Sequence, residues 1–497
     1  MLENLALGFS TAVTFQNLGF AFIGCVIGTA IGVLPGVGPV ATISLLLPLT
    51  FGLDPITSMI MLAGIYYGAQ YGGSTSAILL NLPGEVTAVV TTLEGHKMAQ
   101  AGRAGAALAV AALGSFFAGT VATLVVAASG PVLTAVAMSF GPAEYFSLIL
   151  LGLIAATVLA QGSIFKSLAM IVLGVTLGLV GTDVQSGQLR FTLGFPQLFE
   201  GVGFVPLAMG IFGISEIIRN LECPENRSGT ASPVGKLWLT KAEFNRAVPS
   251  VLRGTALGSL LGILPGGGLA LSTFASYMLE RKVSKYRHEF GSGAIEGVAG
   301  PESANNAASQ TSFIPMLTLG LPANAVMALM IGALMIQGIQ PGPRMIDEQP
   351  TLFWGLIASM WIGNLMLVVI NLPLVGVWVS LLKVPYKYLY PAILVFCGIG
   401  AYSINNSVFD VYQTALFGLV GYALIKLEFE PAPLLIGFVL GPMMEEYLKR
   451  AMLLSHGDVS VFIERPLSAV FLLFGLLALA AMVVPSIRRK KNQAVAE

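Results

Sequence analysis

An uncharged hydrogen-bonding run sits inside an apolar stretch at Tyr66-Tyr67-Gly68-Ala69-Gln70-Tyr71-Gly72-Gly73-Ser74-Thr75-Ser76, where ten of eleven residues are Tyr, Gly, Gln, Ser or Thr. Hydroxyls, an amide and glycine-exposed N–H groups donate many hydrogen bonds without a fixed cation. That set can capture a carboxylate and still release it. A second run, Asn305-Asn306-Ala307-Ala308-Ser309-Gln310-Thr311-Ser312, repeats the pattern later in the chain. The alternative role for both runs is polar contact between helices. Just upstream of the second run stand Glu296 and Glu302. These two carboxylates either bind a coupling proton or Na⁺, or hold a loop backbone. Oxygens of Asn81 and Asn305 are a further candidate Na⁺ site, since interrupted helices coordinate such ions with side-chain and carbonyl oxygens.

Two interruptions accompany these runs. Gly24-Cys25-Val26-Ile27-Gly28-Thr29-Ala30-Ile31-Gly32-Val33-Leu34-Pro35-Gly36-Val37-Gly38 aligns with Gly254 to Gly268 at a constant offset of 230, with seven of fifteen positions identical. About one match is expected at ordinary residue frequencies, so the chain contains an internal duplication. Leu82-Pro83 and Leu321-Pro322 give a fainter echo. Glycines four residues apart let helix backbones approach closely and read as packing seams. At Pro35-Gly36 and Pro265-Gly266 the helix should stop, because proline removes a donor and glycine frees φ. Inside a membrane such a break is tolerated only where it is buried in protein or lines a cavity. A helix restarting there would turn its N-terminal amides toward an anion. The candidate substrate-binding set is therefore Gly36, Val37, Gly38, Gln70, Tyr71, Gly73, Ser74, Thr75, Ser76, Gly266, Gly267, Gly268, Asn306, Ser309, Gln310 and Thr311. The candidate ion-coupling set is Asn81, Glu296, Glu302 and Asn305. Segments 18–51 and 247–281 read either as one long broken helix or as the two legs of a re-entrant hairpin.

The elements that must position these groups are membrane helices. The chain is 55% hydrophobic and 10% charged, less than half the charge of a soluble domain, and its mean hydropathy is +0.83. Stretches 104–128, 145–182, 354–382 and 466–485 are long enough to cross a bilayer as helix. They are continuously apolar rather than alternating, which excludes a barrel. The expected fold is an all-α integral membrane protein with about 10–14 membrane segments. Net charge is zero, which leaves no nucleic-acid footprint. The three cysteines read as small packing residues, and the N-terminus lacks the basic start of a cleavable signal.

Charge concentrates in 216–253, at Arg281, Lys282, Lys285 and Arg287, and in the tail Arg488-Arg489-Lys490-Lys491. Short loops rich in Lys and Arg stay in the cytoplasm, so the C-terminus is expected there. The hydrophilic stretch in 216–253 divides the chain into 1–230 and 231–497. The end of the first broken segment has no Lys or Arg and carries Asp54, whereas the equivalent end of the second is basic. Opposite placement of equivalent ends predicts two inverted-topology repeats. The plainer helices, 104–182 and 354–427, are expected to form a scaffold around a mobile bundle. His96, His288 and His456 lie near charges and outside the apolar spans, with no HExxH or phosphate-loop motif. An enzyme is not expected, and no cofactor beyond a coupling Na⁺ or H⁺ is implied.

The chain resembles the large membrane subunit of the tripartite tricarboxylate transporters. The resemblance rests on Gly32 to Gly38, Tyr66 to Thr75, Leu80-Asn81-Leu82-Pro83-Gly84-Glu85, Gly95-His96-Lys97-Met98, Gly262 to Gly266 and Glu296 to Asn306. It implies a secondary transporter in the bacterial inner membrane, working with a small four-helix membrane subunit and a periplasmic substrate-binding protein. It also implies citrate-like di- and tricarboxylate substrates and uptake driven by an ion gradient. Two departures stand out: Pro322-Ala323-Asn324 where the family often has Pro-Gly, and Gln310-Thr311-Ser312 in place of a glycine-rich stretch. A signalling scaffold and a standalone carboxylate permease are the rival readings.

Overall fold

The computed structural model describes residues 2–34, 38–160, 163–183, 185–222, 234–265, 268–381 and 386–494. Its longer helices begin with α1 (Phe15–Val33), α2 (Pro39–Leu46) and α3 (Pro55–Leu80). There follow α4 (Ala104–Ala137), α5 (Pro142–Leu159) and α6 (Ile164–Gly178). A short hairpin, β1 (Gly181–Thr182) with β2 (Leu189–Arg190), leads to α7 (Phe204–Glu222). The second half opens with α8 (Lys241–Leu261), α9 (Gly268–Val283) and α10 (Glu296–Thr311). It continues through α11 (Ala325–Ile336), α12 (Pro350–Asn371), α13 (Val408–Lys426), α14 (Ala432–Leu454) and α15 (Pro466–Ala494). The protein is an all-α membrane protein. Among the described residues five helices are long and apolar enough to span a bilayer, including α1, α7, α12, α13 and the span Ala99–Ala137.

The helices start and stop where local chemistry dictates. Thr14 accepts from the Asn17 amide at 3.3 Å and opens α1. At α8 the Thr240 hydroxyl accepts from the Glu243 amide at 3.2 Å, while Glu243 accepts from the Thr240 amide at 2.9 Å, a reciprocal capping box. Helix α3 begins at Pro55 and ends at Asn81 in the left-handed conformation.

The glycine ladders are seams. Gly24, Gly28 and Gly32 of α1 lie against the backbone of Met61, Ile65 and Ala69 in α3. A Cβ added at Gly68 would meet the Cys25 carbonyl oxygen at 2.6 Å. Numbers rise together, so α1 and α3 run parallel and α2 must come back between them. Helices α8 and α10 repeat this arrangement through Gly254 with Gly300, Gly258 with Ala304 and Gly262 with Ala308. Each broken segment is therefore a helical hairpin packed on the helix that follows it.

The two three-helix units run in opposite directions. Helix α12 is parallel to α1, because Cys25 reaches the Gly363 carbonyl and Asn371 reaches Thr29. It is antiparallel to α4, since Asn364 donates to the Phe116 carbonyl while Phe353 packs at Gly130. Helix α4 in turn is parallel to α10: Gly114 faces Ala299 and Ser303, and Ala118 and Ala122 meet Ala307. Helices α1, α3 and α12 thus point one way, and α4, α8 and α10 the other.

Polar sequence and central position go together. All residues of α10 from Glu296 to Thr311 are buried, as is α3 from Thr57 to Leu79. Neither could face lipid, and both are wrapped by the apolar helices. Helices α4 and α12, expected in the outer scaffold, instead wedge between the two units. Their small residues explain this: Asn364 fills the space over Gly119, and Asn306 donates to Ser115 at 2.6 Å. The outer layer is α5, α6, α14 and α15, with α6 and α14 joined through Gly174, Gly437 and Gly441.

Candidate functional site

A cavity of about 890 Å³ lies between the two units. Helices α2, α9, α11 and α14 all present their first turns to it, through Gly38, Leu269, Asn324 and Ala432. The unpaired amides and partial positive charge of such ends favour anions. The inner wall is Tyr66 and Gln70 of α3, one helical turn apart and 1% and 0% exposed. Both polar atoms of the Gln70 amide make no hydrogen bond, though buried polar groups nearly always do, and the Tyr66 hydroxyl has Ser309, Ser312 and Asn324 beside it. Asn324 spends its carbonyl oxygen on the Met327 amide at 3.0 Å, which leaves its Nδ2 donor unpartnered. Tyr66, Gln70 and Asn324 all line the same cavity, with these polar atoms just beneath its surface.

The cavity's rim carries charge. Arg219 and Asn220 line it from the end of α7, and Glu85 from the loop after α3. Glu85 accepts from the Thr87 hydroxyl at 2.5 Å. It approaches Asn305, whose amide makes no hydrogen bond of its own.

The residues expected to bind substrate divide between two surfaces. Gly38 and Gln70 line the cavity, Gly73 packs beside Gly84 and Glu85 at its edge, and Gly268 is the first residue of α9 next to it. Ser309 neighbours the Tyr66 hydroxyl. Gln310 is buried with its Oε1 unpartnered, while Thr311 and Ser76 bond back to their own helices at Ala307 and Gly73. Tyr71, Ser74, Thr75 and Asn306 face the other way, into the seam with α4 and α12. There Tyr71 donates to Asn364 at 3.1 Å and Ser74 to Glu302 at 2.7 Å. Gly36, Val37, Gly266 and Gly267 lie outside the described residues.

The structure does not gather Asn81, Glu296, Glu302 and Asn305 into one ion site. Asn81 is exposed, with a backbone that serves as the left-handed end of α3. Glu296 is bound by Arg246 at 2.9 and 3.0 Å, beside Glu289, and this ion pair clamps α8 onto the start of α10. Glu302 has only hydroxyl partners, Ser74 and Thr91. Sequence reasoning missed Tyr66, Glu85, Arg219 and Asn324 as lining residues. Tyr66 was within reach, because it stands four positions before Gln70 and shares its helix face.

Residues 18–436 match the profile of the tripartite tricarboxylate transporter TctA family. The chain belongs to this family. TctA-family proteins are membrane transport components rather than enzymes, and they work in tripartite systems with partner subunits. One relative from Agrobacterium vitis, described as "Uncharacterized 52.8 kDa protein in TAR-I ttuC' 3'region", is 57% identical over 497 residues, covering 100% of this chain and 99% of that protein. Another from the same organism, "Uncharacterized protein in TAR-II ttuC' 3'region", is 60% identical over 240 residues, which is 48% of this chain and 99% of that protein. No solved structure matches the chain.

Proposed function

We propose that this chain imports small organic di- and tricarboxylates, citrate-like in size and charge, across the bacterial inner membrane. One observation carries the reading: helix first turns and the buried polar groups of Tyr66, Gln70 and Asn324 converge on a single cavity without a fixed cation in its inner wall. A site of that kind replaces the water around a carboxylate, yet holds it weakly enough for release. The periplasmic binding protein delivers substrate, the small four-helix subunit completes the complex, and an ion gradient drives accumulation.

The halves 1–230 and 231–497 act as inverted repeats, a reading that the opposite running directions of α1–α3 and α8–α10 support. Arg219 at the cavity rim leads into the basic linker, so this conformation faces the cytoplasm, where the C-terminus also lies. In an elevator-type cycle the body that moves comprises the two units with α4 and α12, against the outer layer of α5, α6, α14 and α15.

Uptake by reconstituted vesicles, with a panel of carboxylates in sodium and in sodium-free buffer, tests the reading. Accumulation of di- or tricarboxylates that Gln70→Met lowers about tenfold or more is the expected result. No accumulation under any ion gradient, with partners present, overturns it in favour of a receptor role.

A further inference from the structure

Away from the cavity, α3, α4, α10 and α12 enclose a small void of about 20 Å³. That is room for one water-sized particle. Its polar lining is Tyr71, Ser74, Thr75, Ser115, Glu302 and Asn371. The hydroxyl protons are largely committed elsewhere. Tyr71 donates to Asn364 Oδ1 at 3.1 Å, and Thr75 donates to the Tyr71 carbonyl at 3.2 Å. Ser74 donates to Glu302 at 2.7 Å, whereas Ser115 accepts from Asn306 at 2.6 Å and keeps its own proton to give.

The acceptors are in excess. Asn371 donates its amide hydrogens to Leu367 at 2.9 Å and Thr29 at 3.4 Å. That bonding fixes the side chain and leaves Oδ1, in a residue only 8% exposed, without any donor. The Glu302 carboxylate, 2% exposed, has no ion pair among the described residues. A buried carboxylate must be neutralised or paired. Lone pairs from hydroxyls, an amide oxygen and a carboxylate around a water-sized void are the environment of a hard cation.

We infer that this void is a binding site for a small monovalent metal cation of sodium's size, held by Glu302, Asn371 Oδ1 and the hydroxyls of Tyr71, Thr75 and Ser115. The site joins an element of each repeat to α4 and α12, so occupancy fixes how the two units sit together. The inference rests on the transport reading only for its use, which is coupling ion entry to carboxylate entry. Binding itself stands apart from it.

The test uses the full chain in lipid nanodiscs without carboxylate. Thermal unfolding is followed in sodium, potassium and choline chloride at constant ionic strength. A ligand of the native state raises the midpoint in proportion to its saturation. A sodium-specific rise is expected, with half-saturation weakened about tenfold or more in Asn371→Leu and in the near-isosteric Thr75→Val, and abolished in Glu302→Gln. Thr75→Val keeps the test decisive if the other variants fail to fold. No sodium-specific rise, or one that Thr75→Val leaves unchanged, overturns the inference; a midpoint that responds to pH alone assigns Glu302 to a proton and overturns it too. Uptake without a sodium response defeats the cation site alone, whereas a sodium response without uptake defeats the transport reading alone.

Discussion

Replacing Gln70 by methionine should stabilise the protein and disable it. The Gln70 side chain is 0% exposed, and neither its oxygen nor its nitrogen finds a partner. Each buried unmade hydrogen bond costs about 1–3 kcal/mol. Because the residue lines a cavity of about 890 Å³, water reaching that space offsets part of this cost. Methionine keeps the volume and removes both polar atoms, so the expected gain is about 1–2 kcal/mol. In a chain of this size that raises the melting midpoint by roughly 1–3 °C. The same change removes hydrogen bonds to a charged substrate worth about 1.5–3 kcal/mol, so uptake should fall by roughly tenfold to a hundredfold. Thermal melts in nanodiscs and vesicle uptake are measured on one preparation. Gln70→Glu is the control, because it keeps polarity, adds a repelling charge and should lose uptake without the gain in stability. A methionine variant that melts lower, or one that transports at the wild-type rate, refutes the reasoning.

Other consequences of the structure are equally direct. Gly28→Ala and Gly258→Ala each push a methyl group onto backbone of the helix alongside, Ile65 and Ala304 respectively, and should cost about 1–3 kcal/mol. Gly19→Ala in the same helix as Gly28 meets nothing within 4 Å and should melt normally. Arg253 donates to Glu280 at 2.6 and 2.7 Å, and Glu280 is 0% exposed. Arg253→Ala strands that charge and should destabilise by about 3 kcal/mol, more than Glu280→Gln does in the same melts. The Lys449 ammonium beside Asp183 holds that carboxyl well below the usual carboxylate range. A lowered native value means that the link from the β1–β2 hairpin to α14 is fully present above about pH 4 and is lost only as pH falls through the lowered value. A spin label at position 188 should therefore keep one mobility from pH 8 to 5 and loosen only in stronger acid.

Much of the framework was legible before any coordinates. The constant offset between Gly24–Gly38 and Gly254–Gly268 marked out two similar segments, and in the structure α1–α3 and α8–α10 run in opposite directions. Rotation about the helix axis was harder to read. Gln70 and Tyr71 are adjacent in sequence and point to different surfaces, because each step along a helix turns about 100°. The seam glycines Gly64, Gly68 and Gly72 decide which surface each one gets, by pressing one side of α3 onto α1. The same blindness put Glu296 with Glu302, though six residues separate them and Arg246 claims the first. Helix α4 was assigned to the outside because it is apolar, yet apolar helices with many small residues pack inside as well as against lipid. Ala323 stood out where the family often has glycine, and the Asn324 that follows it caps the first turn of α11.

The two glycine seams have an evolutionary consequence. Where backbone rests on backbone, almost any heritable change is lethal to the fit, so those positions are closed to drift. The surface around Tyr66, Gln70 and Asn324 carries less of that burden, because there side chain rather than backbone makes the contact. If the proposed site is right, descendants of one ancestral carrier can diverge in diet while inheriting the same mechanical parts.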